Sequence, residues 1–263
     1  EYMASQGVKE LILVAQETTV YGTDLYGKKT LHLLLKKLCQ IKGIRWIRIL
    51  YCYPEEIYDE LIQVMKEEKK ICHYLDLPIQ HCSDRILKRM GRRTSKAQLV
   101  EIITKLRKEI PDIVLRTSLI TGFPGETEED HQELMEFVDE MEFDRLGVFT
   151  YSPEEDTPAA TMKDQVPEEL KEEHRDEIME LQQEISLDKG NQRIGQEMLV
   201  MIEGKVSGES AYIGRTYMDA PKVDGYIFVQ TGELMVTGDF AKVRVTGALE
   251  YDLIGELTDE YTE

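Results

Sequence analysis

The segment ITGFPGETEED, residues 120–130, joins an apolar run to an acidic helical pattern through a turn with two glycines and a proline. Gly122 and Gly125 let a ligand approach the main chain closely, and Pro124 restricts the turn. A phosphate would suit the N-terminus of the following helix, but the carboxylates in its first turn, beginning with Glu126, repel phosphate. Those after Glu126 also favour the helix dipole on structural grounds alone. The turn therefore predicts a site for an uncharged or cationic ligand, such as an adenine ring or an amino group.

Charged and polar residues interrupt several strand-like runs. Parallel strands buried on both faces normally read as nearly continuous Val, Ile and Leu, yet Arg48, Asp76, Arg116 and Ser118 lie inside such runs. A buried Arg without a partner is very costly. Two interpretations stay open: an internal Arg–Asp pair that braces the fold, or a polar ligand held between the strands. The second is favoured because several strands contribute polar groups together.

The cysteines do not form a metal-binding motif. Cys39, Cys52, Cys72 and Cys82 show neither CxxC nor CxxxCxxC spacing. We expect them to be buried, reduced, small apolar residues rather than disulfides or metal ligands. His174 is likewise interpreted as a partly buried structural residue. The sequence therefore predicts no metal ligands in this chain.

The formal net charge of −19 argues against broad nucleic-acid binding, which needs a positive face. It is compatible with a strongly basic protein partner, although solubility alone would also account for it. One basic cluster comprises Arg85, Lys88, Arg89, Arg92, Arg93 and Lys96. It could bind RNA or an acidic protein tail, or be a solvated helix face. No run of 18 apolar residues and no secretory leader is recognisable, so we predict a cytoplasmic protein.

Strand-like runs alternate with helical patterns through residue 151. The strands are predicted at 9–16, 44–53, 74–80, 113–123 and 145–152, and the helices at 30–41, 55–69, 84–91 with 95–110, and 127–141. Strict alternation predicts parallel pairing through right-handed crossovers. Because five strands are too few for a closed eight-stranded barrel, we expect an α/β fold with an open sheet or partial barrel. Its ligands should bind at the carboxyl ends of the strands.

A long helix and a glycine-rich β region follow. The helix is predicted from Pro167 to Gly190, with an inward stripe of Leu170, His174, Ile178, Leu181 and Ile185. Short β-rich runs between glycines after Arg193 are typical of a small antiparallel barrel. We therefore divide the chain into 1–166, a connecting helix at 167–192, and a second domain at 193–263. From Arg193 onward, 13 acidic residues outnumber 6 basic ones, the opposite of an RNA-binding barrel.

Several segments resemble a known family in order and spacing. GVKELILVAQETTVYG, WIRILYCYPEEI, YLDLPIQHCSD, LRTSLITGFPGETEED and FDRLGVFTYSPEEDTPAA are similar to the radical-SAM methylthiotransferases. GRTYMDAPKVDGYIFV and EYDLIGE are similar to the TRAM domain of that family. The resemblance covers nearly the whole chain. It implies a partial (β/α) radical-SAM barrel followed by an OB-like TRAM β-barrel.

The chemistry that the resemblance implies depends on cofactors. A 4Fe–4S cluster would reductively cleave S-adenosylmethionine, and the resulting radical would take a hydrogen from the target carbon. A second 4Fe–4S cluster on a separate N-terminal domain would take part in supplying sulfur, and a second S-adenosylmethionine would supply the methyl group. The first cluster needs thiolates in a CxxxCxxC motif just before residue 1. We therefore expect this chain to be a fragment that lacks the first barrel strand and the cluster loop and is catalytically incomplete alone; a naturally cluster-free relative is the alternative.

Residue roles carry over from the matching motifs. The GFPGET turn, with Gly122, Gly125, Glu126 and Thr127, would flank the adenosine of S-adenosylmethionine. Arg116 and Ser118 would face its ribose or methionine carboxylate. Gln16, toward the cofactor, and Thr18, Gln80 and His81, toward the substrate, would line the mouth of the barrel. His81 could instead form a local structural pair with Asp84.

Two branches of this family compete. The tRNA-modifying branch usually has a QSGS-like motif where this chain has Gln80-His81-Cys82-Ser83-Asp84, and a basic residue in the YSP segment where this chain has Glu154, Glu155 and Asp156. These features resemble the branch that methylthiolates an aspartate β-carbon of ribosomal protein S-twelve. We expect that basic protein to dock on the acidic TRAM domain, with no membrane contact and no tRNA. A tRNA methylthiotransferase and a cluster-free binding module are the alternatives.

Overall fold

The computed structural model describes residues 1–258, so the last five positions of the predicted second domain lie outside the described residues. An open parallel sheet in sequential order occupies the N-terminal part. Its strands are β1 (Glu10–Leu13), β2 (Trp46–Ile49), β3 (Ile71–Asp76), β4 (Val114–Thr121) and β5 (Arg145–Thr150). The predicted alternation and parallel pairing are confirmed.

The helices lie on one side of this sheet or beside it. They are α1 (Tyr2–Ser5), α2 (Thr23–Tyr26), α3 (Leu31–Cys39), α4 (Asp59–Glu67), α5 (Asp84–Arg89), α6 (Lys96–Glu109) and α7 (Glu128–Met141). The short α1 and α2 were not predicted. Helices α6 and α7 both begin with a capping box, Ser95 with Gln98 and Thr127 with Asp130, which satisfies main-chain donors that a helix start leaves unpaired.

The main core lies between the sheet and the helices. The apolar face of α7 is buried as its spacing predicts, at Leu134, Phe137, Val138 and Met141. It packs with buried strand residues such as Leu115 and Leu119. The opposite face of the sheet carries the polar residues that interrupt the strands.

The long helix α8 (Glu168–Asn191) packs on α7, β4 and β5. Its buried residues are Lys171, His174, Ile178, Gln182, Ile185 and Ser186. The predicted stripe is correct at His174, Ile178 and Ile185, which are buried, and at Leu181, which is partly buried and packs against the main core. Leu170 is only partly buried. Polar Lys171 and Gln182 are also buried, because both find main-chain acceptors, at Tyr151 and Phe143. Within residues 1–258, none of the helices has the length and apolar character needed to cross a membrane.

A closed five-stranded barrel follows α8, in the order β10-β8-β7-β6-β9. Its strands are β6 (Glu197–Lys205), β7 (Ala211–Arg215), β8 (Ile227–Gln230), β9 (Phe240–Ala248) and β10 (Leu253–Leu257). Four of the pairings are antiparallel, but β8 and β10 pair in parallel. A ring with an odd number of strands cannot alternate direction throughout, so closure requires at least one parallel pair. The expectation of a purely antiparallel barrel is corrected on this point.

Candidate functional site

An ion-pair network covers the polar face of the sheet. Asp76 on β3 and Arg116 on β4 lie in register, and Arg116 Nη1 donates to Asp76 Oδ1 at 2.7 Å. Arg116 Nε lies 3.4 Å from Asp224 Oδ1, which belongs to the loop between β7 and β8. Burial alone lowers the pKa of Arg116, but Asp76, Tyr74 and Asp224 together raise it, so the guanidinium stays charged. Arg116 therefore has the carboxylate partners that a buried Arg requires.

The loop at 216–226 lies against this face and connects the barrel to the sheet. The Tyr74 hydroxyl donates to Asp224 Oδ2 at 2.7 Å, and Arg145 Nη2 donates to Asp219 Oδ1 at 2.5 Å. Burial, together with Asp224, raises the pKa of Tyr74 well above its ordinary value. Together with the Arg116–Asp224 pair, these contacts give Tyr74, Arg116 and Arg145 a partner from the second domain.

Glu10 on β1 supports the same junction. Its carboxylate accepts from Arg48 Nε at 2.8 Å and from Arg215 Nη2 at 2.6 Å. Arg48 also donates to the carbonyl oxygen of Tyr217 at 2.6 Å. The side chains of Arg48 and Arg215 are 0% and 2% exposed, so this shared carboxylate stabilises two buried cations.

A cavity of about 360 Å³ opens beside this network, at the carboxyl ends of the strands. Its lining includes Tyr51, Gln80, Arg116, Ser118, Ile120, Phe149 and Val223. Tyr51 and Gln80 have φ angles of 58° and 70°, in the left-handed region that residues other than glycine seldom adopt. Such backbone strain concentrates at binding sites. The structure thus brings together three of the predicted site residues, Gln80, Arg116 and Ser118, in one cavity.

The glycines of the GFPG turn have a packing reason in this structure. Gly122 and Gly125 both have positive φ, 69° and 85°. A Cβ at Gly122 would overlap the aliphatic part of Lys171, and one at Gly125 would come within 2.9 Å of Asp164 and Arg89. The close approach that the sequence predicts is therefore made by side chains of the protein itself.

Basic residues of α5 hold the same turn. Arg89 Nε donates to the Pro124 carbonyl oxygen at 2.9 Å, and Arg85 Nη2 donates to the Gly125 carbonyl oxygen at 2.7 Å. Arg89 also forms an ion pair with Asp164 at 2.8 Å. Two members of the predicted basic cluster thus have a bracing role that neither sequence interpretation included.

Glu126 and His81 face each other inside the protein. The Glu126 carboxylate accepts from Gly122 N at 2.9 Å and lies 3.6 Å from His81 Nε2. His81 Nδ1 accepts from the main-chain nitrogens of Cys82 and Ser83, which places the ring proton on Nε2. Burial lowers the pKa of His81 to about 4, so the ring is neutral at neutral pH. The alternative pairing of His81 with Asp84 is not present, since Asp84 accepts from Lys96 N.

The remaining predicted residues lie elsewhere. Thr127 is the N-cap of α7, where Asp130 completes the cap; burial alone raises the pKa of Asp130, but hydrogen bonds from Arg85, Ser83 and Thr127 bring it to about 2. Thr18 is buried and donates to the Leu50 carbonyl oxygen at 2.6 Å, while Gln16 is exposed. Neither Gln16 nor Thr18 lines the 360 Å³ cavity.

Sequence reasoning missed the residues that come from a distance. Glu10, Asp219 and Asp224 complete the network, and His131 stacks on His174 with ring centroids 3.7 Å apart. The sequence did carry one signal for these residues. Each buried arginine on the strands requires a carboxylate partner, and the strands alone contain too few carboxylates. The DAPKVDG loop contains two aspartates that can supply the missing partners.

Comparison with known proteins identifies a family for each of the two parts of the chain. Residues 1–138 match the Radical SAM superfamily, and residues 194–258 match the TRAM domain. A protein of Lachnoclostridium phytofermentans named "Ribosomal protein uS12 methylthiotransferase RimO" is 66% identical over 97% of this chain and 58% of its own length. A Clostridium botulinum protein of the same name is 54% identical over 100% of this chain and 59% of its own length.

The chain thus spans about three fifths of the length of the curated relatives it matches. Among solved structures, the archaeal Elp3 of Methanocaldococcus infernus aligns with a TM-score of 0.47 at 16% identity, over 66% of this chain and 44% of that one. The superfamily match covers more than half of the chain and includes the first four strands of the parallel sheet. This chain belongs to the radical SAM superfamily.

Proposed function

We propose that this chain acts in the methylthiolation of ribosomal protein uS12, in which a methylthio group is added to the β-carbon of an aspartate by radical S-adenosylmethionine chemistry. The observation that carries the proposal is the 66% identity, over 97% of the chain, to a relative named as that methylthiotransferase. The TRAM match at residues 194–258 supports it, because the resemblance to this family includes a TRAM domain.

S-adenosylmethionine would bind in the cavity of about 360 Å³. When bound, it supplies the radical and the methyl group. Gln80 and Ser118 offer polar groups there, and Tyr51, Ile120 and Phe149 offer apolar surface that suits an adenine ring. Arg116 can donate hydrogen bonds, but Asp76 and Asp224 already balance its charge, so it contributes little net attraction for a carboxylate.

A 4Fe–4S cluster does not fit the cysteines of residues 1–258. All four are buried and free, at Cys39, Cys52, Cys72 and Cys82. Burial raises the pKa of each thiol, to about 11 for Cys39 and Cys72. Cluster ligands are thiolates grouped around one centre, so other cysteines would have to supply them.

The basic ribosomal protein would bind to the acidic barrel formed by β6–β10. Glu209, Glu233, Glu250 and Glu256 on this barrel are exposed. Opposite charges would steer the encounter, with an on-rate that falls as ionic strength rises. The same surface would repel tRNA.

Deletion of the encoding gene tests the proposed activity. Mass spectrometry of uS12 should show the methylthio group in the parent strain, its loss in the deletion strain and its return when the gene is restored. Methylthiolated nucleosides in tRNA should not change. Loss of the tRNA modification with unaltered uS12 would contradict the proposal and favour a tRNA substrate.

Binding measurements test the docking separately. Purified chain and fluorescent uS12 should associate at low salt and dissociate as salt rises, and a variant with the four exposed glutamates changed to glutamine should bind more weakly. Unchanged binding in that variant would exclude the barrel surface while leaving the proposed activity intact.

A further inference from the structure

The GFPGET turn, α7 and α8 meet at a buried cluster of Glu126, His131 and His174. The three residues are 8%, 1% and 3% exposed, and one ligand atom from each lies within 4.8 Å of the other two. The sequence assigned His174 a structural role and did not single out His131. Since the cluster draws on three separate elements, a ligand bound to it would connect them.

Each histidine of the cluster has a carboxylate on one ring nitrogen, and its second nitrogen makes no hydrogen bond within residues 1–258. His131 Nε2 lies 2.7 Å from Glu177 Oε2, and His174 Nδ1 lies 3.0 Å from Glu126 Oε1. His131 Nδ1 and His174 Nε2 are buried and make no hydrogen bond within residues 1–258. For His131, a carboxylate outside the cluster fixes the remote nitrogen while the other nitrogen keeps its lone pair, which is the arrangement of metal-binding histidines.

Buried polar atoms without partners are rare in folded proteins and need an explanation. Here two imidazole lone pairs and a carboxylate are grouped on buried residues. A water molecule could satisfy one lone pair, whereas a cation satisfies both and also balances the negative charge of Glu126. The cluster therefore has the composition of a cation site.

We propose that Glu126, His131 and His174 bind a divalent cation of the Zn²⁺ class, which ties the GFPGET turn to α7 and α8. Two imidazoles and one carboxylate form a ligand set that Zn²⁺ uses. Glu128 Oε2, 3.5 Å from His174 Nε2, can serve as a fourth ligand. His81 is excluded because its proton lies on Nε2, the nitrogen nearest Glu126.

Binding requires a local adjustment. Ligand atoms of a tetrahedral Zn²⁺ site lie about 3.3 Å apart, given bonds of about 2.0–2.1 Å, whereas those of this cluster spread up to 4.8 Å. The two rings are nearly parallel, with an interplanar angle of 4°, so one must rotate for both lone pairs to reach one ion. Glu126 must also exchange its hydrogen bond with His174 Nδ1 for a bond to the ion. The cation would thus replace ring stacking with coordination.

Co²⁺ is the probe that tests this site, because tetrahedral Co²⁺ with nitrogen and oxygen ligands absorbs visible light. The metal-free, untagged 263-residue chain should bind one equivalent of Co²⁺ with a tetrahedral spectrum, and Zn²⁺ should displace it and raise the melting temperature. His131→Phe, which keeps a buried ring, should abolish the spectrum. His73→Ala is the matched control, since His73 with Asp112 is a surface pair that could bind metal adventitiously.

A second variant keeps the test independent of folding defects. Glu177 is 51% exposed, so Glu177→Gln should fold normally. Because it positions His131 without binding the ion, it should weaken Co²⁺ binding about 10- to 100-fold. No tetrahedral spectrum at saturating Co²⁺, a spectrum that survives in folded His131→Phe, or one lost only in His73→Ala would overturn the proposal. None of these results depends on whether the chain methylthiolates uS12.

Discussion

Replacing Arg116 with methionine should destabilise the protein through the two carboxylates it leaves behind. Methionine keeps the apolar stem and removes the charge, so Asp76 and Asp224 would remain buried, with side chains 5% and 3% exposed. Breaking a buried ion pair by removing one partner costs about 3–5 kcal/mol. Each carboxylate retains other donors, Tyr51 N for Asp76 and the Tyr74 hydroxyl for Asp224, which favours the lower end, about 3 kcal/mol.

Thermal and urea unfolding would measure this effect. For a chain of this size, about 3 kcal/mol corresponds to a fall in melting temperature of roughly 6–12 °C. Ser118→Ala is the control, because Ser118 lines the same cavity and its only contact with Arg116 is long, at 3.4 Å. The double variant Asp76→Asn with Arg116→Met should lose less than the sum of the single changes, since the two residues share one interaction.

The same variants separate the two interpretations of Arg116. If Arg116→Met unfolds within about 1 kcal/mol of the parent chain while equilibrium dialysis shows that S-adenosylmethionine binding is lost, Arg116 is a ligand-binding residue. The bracing argument would then be refuted. A large fall in stability together with retained binding would instead assign the cavity contacts to Gln80 and Ser118.

Three further predictions concern other parts of the molecule. Ellman's reagent at pH 8 should label none of the four buried cysteines until denaturant is added. A thiol with a pKa of about 11, as at Cys39 and Cys72, is ionised at this pH in only about one molecule in a thousand. Rapid labelling of the native chain would contradict the burial. Glu10→Gln should cost about 3–5 kcal/mol in chemical denaturation, whereas Glu197→Gln, which breaks an exposed pair, should cost less than about 1 kcal/mol; equal losses would disprove the role of Glu10. Gly122→Ala should destabilise the protein by about 1–3 kcal/mol more than Gly208→Ala. Both glycines have positive φ, but only a Cβ at Gly122 meets another side chain, that of Lys171. Equal melting temperatures would show that Lys171 moves aside at no cost in stability.

The regular elements were predictable because their signals are local. Periodicity located all five strands of the sheet and the helices α3 to α8. The strands are shorter than the apolar runs, since residues beyond the ladder, such as Pro78, lie in loops. Strand β3 begins three residues before its predicted start at 74, because Ile71 already pairs with Ile47.

Only one partner of the polar strand residues was foreseen, because little in the local sequence encodes the others. Arg116 pairs with Asp76 on the neighbouring strand, as the bracing interpretation expects, but its second carboxylate lies in the β7–β8 loop. The carboxylate partner of Arg48 lies on β1. The orientation of the Glu126 side chain could not be predicted either, since a carboxylate after a GFPG turn can face solvent or the interior. Its inward orientation follows from the positions of His81 and His174, which lie beside it only in the folded chain.

The junction at Glu10 has a consequence for synthesis of the chain. Glu10 and Arg215 are 205 residues apart, so the second cation of this junction is made long after its carboxylate. At about 5–20 residues per second, translation separates them by on the order of 10–40 s. During that interval the polar face of the nascent sheet is incomplete, because Arg116 and Tyr74 lack their partner Asp224 in the β7–β8 loop. The polar face of the growing chain therefore stays uncovered until the β6–β10 barrel and its β7–β8 loop have been made.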